Sequence, residues 1–388
     1  MEVARARHVR RPLDGDGPRP ERVETVIVGG GQAGLAMGYH LAQRGRPFVI
    51  LDAGARIGDT WRKRWTSLRV FTPARYSGLP GWPFPAPAWS YPGKDEVADY
   101  LEAYATRFDL PVRLGSEVER LSRQGDRYLL TVGERRLEAG HVVIATGQFP
   151  RPNVPAFASE LDPGIVQLHS SEYRDPSELQ EGPVLVVGAG NSGAEIAFEL
   201  SRSATTLLSG SHPGSEPMSA GSRVDRLLTP PYWFFLSRVM TVRTPIGRKL
   251  RPKLLDMTAP LARVKPRDLA AAGVERVPRT VGVQDGRPLL DDGRVVDVAN
   301  VIWCTGYEAD WGWVDLPVFG DDGRPVHDRG IVPGEPGLYF LGLFFLSAIT
   351  SFLIGGVGKD AEHLARHIAA RTGSRGRAGD APVARRGR

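Results

Sequence analysis

A chain of 388 residues with 41% hydrophobic and 24% charged positions has the composition of an ordinary globular protein and is long for one domain, so two domains, or one with a large insertion, are expected. Its single cysteine, Cys304, excludes an intramolecular disulfide framework and a redox-active dithiol, and fits a reducing cytoplasm. The net charge of +6 is concentrated at the ends: residues 1–22 hold six Arg against four acids and residues 371–388 six Arg against one, leaving the stretch between them close to neutral. The two tails, 1–22 and 372–388, are rich in Arg, Gly and Pro and are expected to be disordered and solvated, so neither nucleic acid nor a membrane is taken as a partner. The first tail has no apolar core and does not read as a secretory signal.

Between the tails, short apolar strands alternate with helical stretches, the pattern of an α/β architecture. Val23–Val28 reads as a strand that stops in three glycines, Gln32–Arg44 as a helix and Phe48–Leu51 as a second strand. Trp61–Tyr91, dense in Pro, Gly and aromatics, reads as an ordered loop and Lys94–Phe108 as a helix. Strand-like stretches follow at Tyr128–Val132 and Arg136–Leu137, then HVVIATG at 141–147. PRPNVP, 150–155, is a stiff connection suited to a domain crossing. A second strand–glycine–helix unit covers 184–201, with ATTLLSG as its next strand, and residues 212–275 lack a clean period and read as an insertion. VANVIWCTGY, 298–307, repeats the VVIATG pattern, and the chain closes with LYFLGLFF and a helix over Lys359–Arg371. The 22 uncharged residues from Gly337 to Gly358 are long enough to span a bilayer, but five glycines and a Ser/Thr-containing middle favour a strand, a loop and the start of a buried helix.

Two glycine turns carry the chemistry. The first fits G-x-G-x-x-G as Gly29, Gly31 and Gly34. Gly29 permits the tight turn out of the strand, Gly31 lets the backbone approach a pyrophosphate, and Gly34 lets the helix pack close to the sheet. The phosphates then meet the free N–H groups and positive end of the helix that opens with Gln32 and Ala33. Eighteen residues past Gly34, Asp52 ends the next strand, where an acid accepts both ribose hydroxyls of an adenosine. The second turn fits as Gly188, Gly190 and Gly193, with Asn191 and Ser192 opening its helix. Its ribose position falls near LLSGSH, 207–212, where no carboxylate stands to repel a 2′-phosphate. Ser209, Ser211, His212 and Arg202 are the candidate phosphate contacts, and NADPH is preferred over NADH. Two such units in one chain imply two dinucleotides, a tightly held flavin and an exchangeable nicotinamide that reduces it.

The stretches GGGQAG (29–34), ILD (50–52), GDTWRKRW (58–65), LRVFTP (68–73), LPGWPFP (79–85), IATGQFPRP (144–152), GAGNSG (188–193), CTGY (304–307) and LYFLGL (338–343) resemble those of class B flavin-containing monooxygenases. The chain is similar to plant indole-pyruvate monooxygenases and to bacterial flavoproteins labelled as cation-transport proteins, from about Val23 to His367. The resemblance implies two Rossmann-like domains, with an NADPH domain (153–298, including the insertion 212–275) set into an FAD domain made of 23–152 and 299–371. It places FAD against Gly29, Gly31, Gln32, Ala33, Gly34, Asp52, Trp61, Thr146 and Gly342. NADPH would meet Gly188, Gly190, Asn191, Ser192, Gly193, Ser209 and Ser211. The family's linking fingerprint is matched by Gly164, His169 and Tyr173, with one extra residue between Gly164 and His169. His169 then either couples the two nucleotide domains or is a buried structural histidine. Ester-forming relatives carry Asp in place of Phe71 and Trp in place of Tyr173, and both differences point to oxygenation of a nucleophilic N or S centre or of a 2-keto acid.

The reaction that the resemblance implies runs from NADPH to FAD to O₂, through a C4a-hydroperoxyflavin that oxygenates a small organic substrate. Excluding water is the protein's main task there, and the loop Trp61–Trp65 and the insertion 212–275 are the candidate enclosure. No side chain is assigned as a general acid or base, and no metal site is read. A flavin-dependent disulfide reductase needs paired cysteines and is rejected on Cys304 alone. An NADPH oxidase releasing peroxide, and a non-catalytic NADPH/FAD sensor that regulates transport, stay open as alternatives. The reading allows a homodimer.

Overall fold

A computed structural model describes residues 19–147, 151–211, 213–216 and 221–379. Most of the first tail, the end of the second and His212 lie outside these residues. Strand β1 (Glu21–Val28) starts earlier than expected and buries Thr25 to Val28; helix α1 (Gln32–Ala42) follows it and leads to β2 (Phe48–Leu51). The short helix α2 (Asp59–Arg62) and the long α3 (Lys94–Arg107) precede β3 (Val112–Arg113), β4 (Arg120–Gln124), β5 (Arg127–Val132) and β6 (Arg135–Ile144). Where the sequence reads two stretches, 136–137 and 141–147, the chain forms the single strand β6, and β4 goes unannounced because its alternation is short and polar.

The chain then passes through β7 (Arg151–Pro152), β8 (Val166–His169) and β9 (Val184–Val187) to α4 (Asn191–Leu200) and β10 (Thr206–Ser209). Helices α5 (Arg223–Phe234), α6 (Pro245–Leu255) and α7 (Pro266–Ala271) lead to β11 (Glu275–Val277), the hairpin β12 (Thr280–Gln284) and β13 (Arg287–Leu290), and β14 (Asn300–Trp303). Finally come β15 (Tyr307–Glu308), β16 (Leu338–Phe340) and α8 (Gly358–Gly379).

Two sheets result. The first has seven strands in the order β3-β2-β1-β6-β5-β4, with β16 pairing beside β5 on the same edge of β6. The second is β11-β10-β9-β14-β8, parallel throughout. All strands of the second fall, in sequence, between β6 and β16 of the first. Its central strand is buried on both faces, Val184 and Val186 in one apolar cluster and Leu185 and Val187 in another, as a parallel sheet covered on both sides requires. The first core gathers Val26, Ile27 and Val28 with Leu35, Leu41, Val142, Phe340 and Leu364, so α1 and α8 share it. Each such side chain contributes roughly 1.5–3 kcal/mol by leaving water.

Three expectations are corrected. The strand after 299 does not join the first sheet: β14 pairs with β9 and β8, so the return to the first sheet comes after Cys304. The two crossings run side by side, β7 antiparallel to β15, with Asn153 N–H donating to the Gly306 carbonyl at 3.0 Å. A run such as VIWC fits either sheet; only its pairing decides. The insertion holds α5, α6 and α7, and its period is hidden because Pro230 and Pro231 sit inside α5 and Pro252 inside α6 without ending them. Its last residue, Glu275, already belongs to the second sheet. The last helix continues past Arg371 to Gly379, into the expected tail. Gly337–Gly358 does form a strand, turns and a helix start, and among the described residues no helix is long and apolar enough to cross a membrane.

Candidate functional site

The first glycine turn has a different steric reason at each glycine. Gly29 sits at φ +107°, and a Cβ there would meet the Ala145 carbonyl oxygen at 2.6 Å. A Cβ on Gly34 would lie 1.9 Å from the Gly29 oxygen, so only glycine lets the helix lie this close. Gly31 differs: it caps α1 in extended backbone, and a Cβ there would meet nothing within 4 Å. No packing constraint explains that glycine, but a ligand occupying the space in front of a helix N-terminus does. Asp52 closes the mouth, its Oδ2 accepting from Gly30 N–H at 2.6 Å and its Oδ1 from Gly54 N–H at 2.8 Å. Each oxygen keeps lone-pair capacity for a ribose hydroxyl. Thr146 is exposed beside Gly29, and Gly342, at φ +81°, brings its Cα against the Ala33 methyl. Gln32 donates from Nε2 to the Phe352 carbonyl at 3.0 Å, tying the segment after Gly342 across the helix start.

The second turn repeats this geometry. Gly188 is at φ +108° with the Cys304 carbonyl oxygen 2.3 Å from a Cβ position, and a Cβ on Gly193 would lie 1.8 Å from the Gly188 oxygen. The caps match as well, Gly31 at φ −78°, ψ −170° and Gly190 at φ −75°, ψ −171°. One difference separates them: Thr258 Cγ2 stands 3.6 Å from the Cβ position of Gly190. Asn191 holds the covering segment there, donating from Nδ2 to the Pro260 carbonyl at 3.0 Å and accepting from Ala262 N–H at 2.9 Å. Both turns therefore leave an uncrowded glycine at a helix N-terminus.

The comparisons with known proteins agree. The family model described as pyridine nucleotide-disulphide oxidoreductase matches residues 26–236, more than half of the 388-residue chain. The chain is 40% identical to an uncharacterized CzcO-like oxidoreductase of Geobacillus kaustophilus, covering 89% of this chain and 98% of that protein. It is 30% identical to the probable indole-3-pyruvate monooxygenase YUCCA3 of Arabidopsis thaliana, over 89% of this chain and 86% of that one. Among solved structures, a flavin-containing monooxygenase from Stenotrophomonas maltophilia superposes with a TM-score of 0.73 at 30% identity, covering 91% of this chain and 99% of its own. The chain belongs to the class B flavin-containing monooxygenases.

In this monooxygenase-family chain several predicted contacts are relocated. Ser209 is fully buried, its hydroxyl donating to the Pro278 carbonyl at 2.9 Å and accepting from Thr280 N–H at 2.8 Å, so it anchors the turn from below and is removed from the phosphate contacts. Arg202 lies beyond the C-terminal end of α4, over the Phe198 ring at 5.3 Å, a helix length from the cradle. Asn191 has spent its side-chain amide on 260–262, which leaves its backbone N–H for a phosphate. Ser192 is half-buried in the first turn of α4, and Ser211 is exposed at the ribose mouth. Arg276, on β11 opposite Leu208, was missed: its guanidinium donates to the Gly210 carbonyl at 2.7 Å, directly beside that mouth. Only the β10·β11 register brings it there, and no local motif announces it.

His169 and Tyr173 come together on the turn after β8, Tyr173 N–H donating to the His169 carbonyl at 3.0 Å, whereas Gly164 is an exposed turn before β8, hydrogen-bonded to the Asp162 carboxylate. His169 is buried, with Nε2 3.1 Å from the Gly306 carbonyl and Nδ1 2.8 Å from Ser171 Oγ. Burial holds its pKa below the usual histidine range, so it is a neutral tie between β8 and the return crossing. Tyr173 donates to Glu199 at 2.8 Å, and burial and that carboxylate push its phenol upward. Trp61, half-buried, packs against both the first and second cores, and Trp65 and Leu68 lie in the second, so the aromatic loop spans the junction. Cys304, the only cysteine in the sequence, has its thiol pushed upward by burial, which matches a backbone role beside Gly188.

Proposed function

We propose that this protein is an NADPH-dependent flavoprotein monooxygenase, with FAD on the first turn and NADPH on the second, that oxygenates a small organic substrate. The observation that carries the reading is the repeated cradle: two helix N-termini whose middle glycines, Gly31 and Gly190, have no packing reason to be glycine. In a chain with one cysteine, a flavin is the electron acceptor that such a pair can serve. When bound, the flavin takes hydride from the nicotinamide and activates O₂. The N–H groups from Gly31 to Ala33 would receive one pyrophosphate and Asp52 its ribose. Those from Gly190 to Ser192 would receive the other, with Arg276 and Ser211 on the 2′-phosphate. Trp61 and Trp65 would keep water from the junction. The first sheet would be the FAD domain and the second, set between β6 and β16, the NADPH domain, with its boundary after Cys304.

Phe71 and Tyr173 support a substrate with a nucleophilic N or S centre or a 2-keto acid, and the Arabidopsis relative is named for a substrate of the latter kind, indole-3-pyruvate. The unpaired Cys304 supports a reducing, cytoplasmic location. The visible absorption spectrum of purified protein, before and after anaerobic NADPH, tests the scheme: a flavin band that bleaches is expected. A colourless protein that refuses added FAD overturns it. Oxygen uptake against peroxide release, with and without candidate amines, sulfides and 2-keto acids, then separates oxygenation from the oxidase reading.

A further inference from the structure

Helix α6 of the insertion faces the turn 327–329 across a cavity of about 680 Å³, within the range of small-molecule sites. Its wall carries four arginines, Arg243, Arg248, Arg251 and Arg329, with His327, against a single carboxylate, Asp328. Among the described residues none of the four arginines forms an ion pair with a carboxylate, whereas nearby Arg324 pairs with Asp256 at 2.7 Å. Arg251 donates Nε to the Phe345 carbonyl at 3.1 Å, and Arg248 reaches the Arg243 carbonyl at 3.2 Å. Arg329 is held on a tight turn: Asp328 and Ile331 exchange backbone bonds at 2.8 and 2.9 Å, with Arg329 at φ +49° and Gly330 at φ +88°. A non-glycine residue in the left-handed region is costly, and here it sets an arginine at the cavity wall. Its Nε is buried with no hydrogen-bond partner, a donor left unsatisfied at real cost.

We infer that this cavity binds a small, multiply charged anion, a phosphorylated or polycarboxylate metabolite, at a site separate from both glycine cradles. Guanidinium groups take such oxyanions in bidentate fashion, and clustered cations repel one another until an anion arrives. Consistent with that repulsion, burial and Arg251 push His327 down to about 4, and burial with Arg329, Arg366 and Arg243 does the same to His363. Both imidazoles are neutral near pH 7 and add no positive charge. Asp360 faces Arg329 but is engaged by Ser347 and Ser351. The cavity also joins two parts of the molecule: Leu346 and Phe345 belong to the segment that reaches Gln32 through Phe352, while Arg243, Arg248 and Arg251 come from the insertion.

Titration calorimetry of the full chain with inorganic pyrophosphate, and separately with citrate, tests this at low ionic strength with FAD and NADP⁺ saturating both cradles. With both cradles filled by nucleotide, one saturable site is expected, weakened at least tenfold in Arg243→Gln and lost in the Arg243→Gln/Arg329→Gln pair. Tighter pyrophosphate identifies a phosphorylated ligand, and tighter citrate a polycarboxylate. Arg243 is exposed and its side chain carries no hydrogen bond that the fold needs, so an unchanged thermal midpoint in that variant controls for folding. Absence of saturable binding with both cradles filled, or its full retention in the double variant, overturns the inference.

Discussion

Replacing Gly31 with valine separates a ligand cradle from a merely tight turn. The backbone at Gly31 is extended, which any residue adopts, and a Cβ there finds no atom within 4 Å, so the fold should tolerate the side chain. Fixing a glycine in a compatible conformation even lowers the entropy of the unfolded chain, so stability of the flavin-free protein should change by no more than about 1 kcal/mol. Binding should suffer far more. Losing two charge-assisted bonds from helix N–H groups to a pyrophosphate, at about 1.5–3 kcal/mol each, weakens FAD by roughly 10² to 10⁴-fold. Gly34→Ala is the contrasting control: its methyl would lie 1.9 Å from the Gly29 oxygen, so it should lose the fold itself. The measurements are FAD-to-protein ratio by absorbance after purification, FAD reconstitution by calorimetry, and thermal melting of both apo variants. A Gly31→Val protein that stays fully loaded with FAD would refute the cradle. One whose apo form melts as early as Gly34→Ala would refute the steric argument.

Gly190→Val should keep the flavin band yet fail to bleach with anaerobic NADPH, since only the second cradle is filled; unimpaired bleaching contradicts the assignment of NADPH to that turn. Arg276→Gln should raise KM for NADPH at least tenfold, about 1.4 kcal/mol, and leave KM for NADH nearly unchanged; an equal change for both coenzymes removes Arg276 from the 2′-phosphate. Glu195, buried on α4 with Arg263 3.3 Å away, has its pKa pushed up to about 7, chiefly by burial. Because the folded state holds that proton more tightly than the unfolded state, stability should fall as pH rises from about 4.5 to about 7, by roughly 3 kcal/mol at most. Glu195→Gln should lose that slope in thermal melts across the interval, and a slope unchanged from the parent would place the titration elsewhere.

Local rules made much of this protein legible from its residues alone. Gly29, Gly34, Gly188 and Gly193 are dictated by backbone geometry within one turn, so their spacing announced both cradles, and Asp52 followed from the length of a helix and a strand. Proline hid the helices of 223–255, because Pro230, Pro231 and Pro252 disturb the apolar period that reveals a helix. What the sequence could not decide is whatever depends on register between distant strands. The pairing of 300–303 with β8 and β9 put that strand in the second sheet, the β10·β11 register carried Arg276 to the Gly210 carbonyl, and the hydrogen bonds of Thr280 turned Ser209 inward. A helix N-terminus is built by neighbours three or four residues apart, whereas a sheet edge or an arginine-lined cavity is built by segments dozens of residues apart, and only the folded chain brings those together.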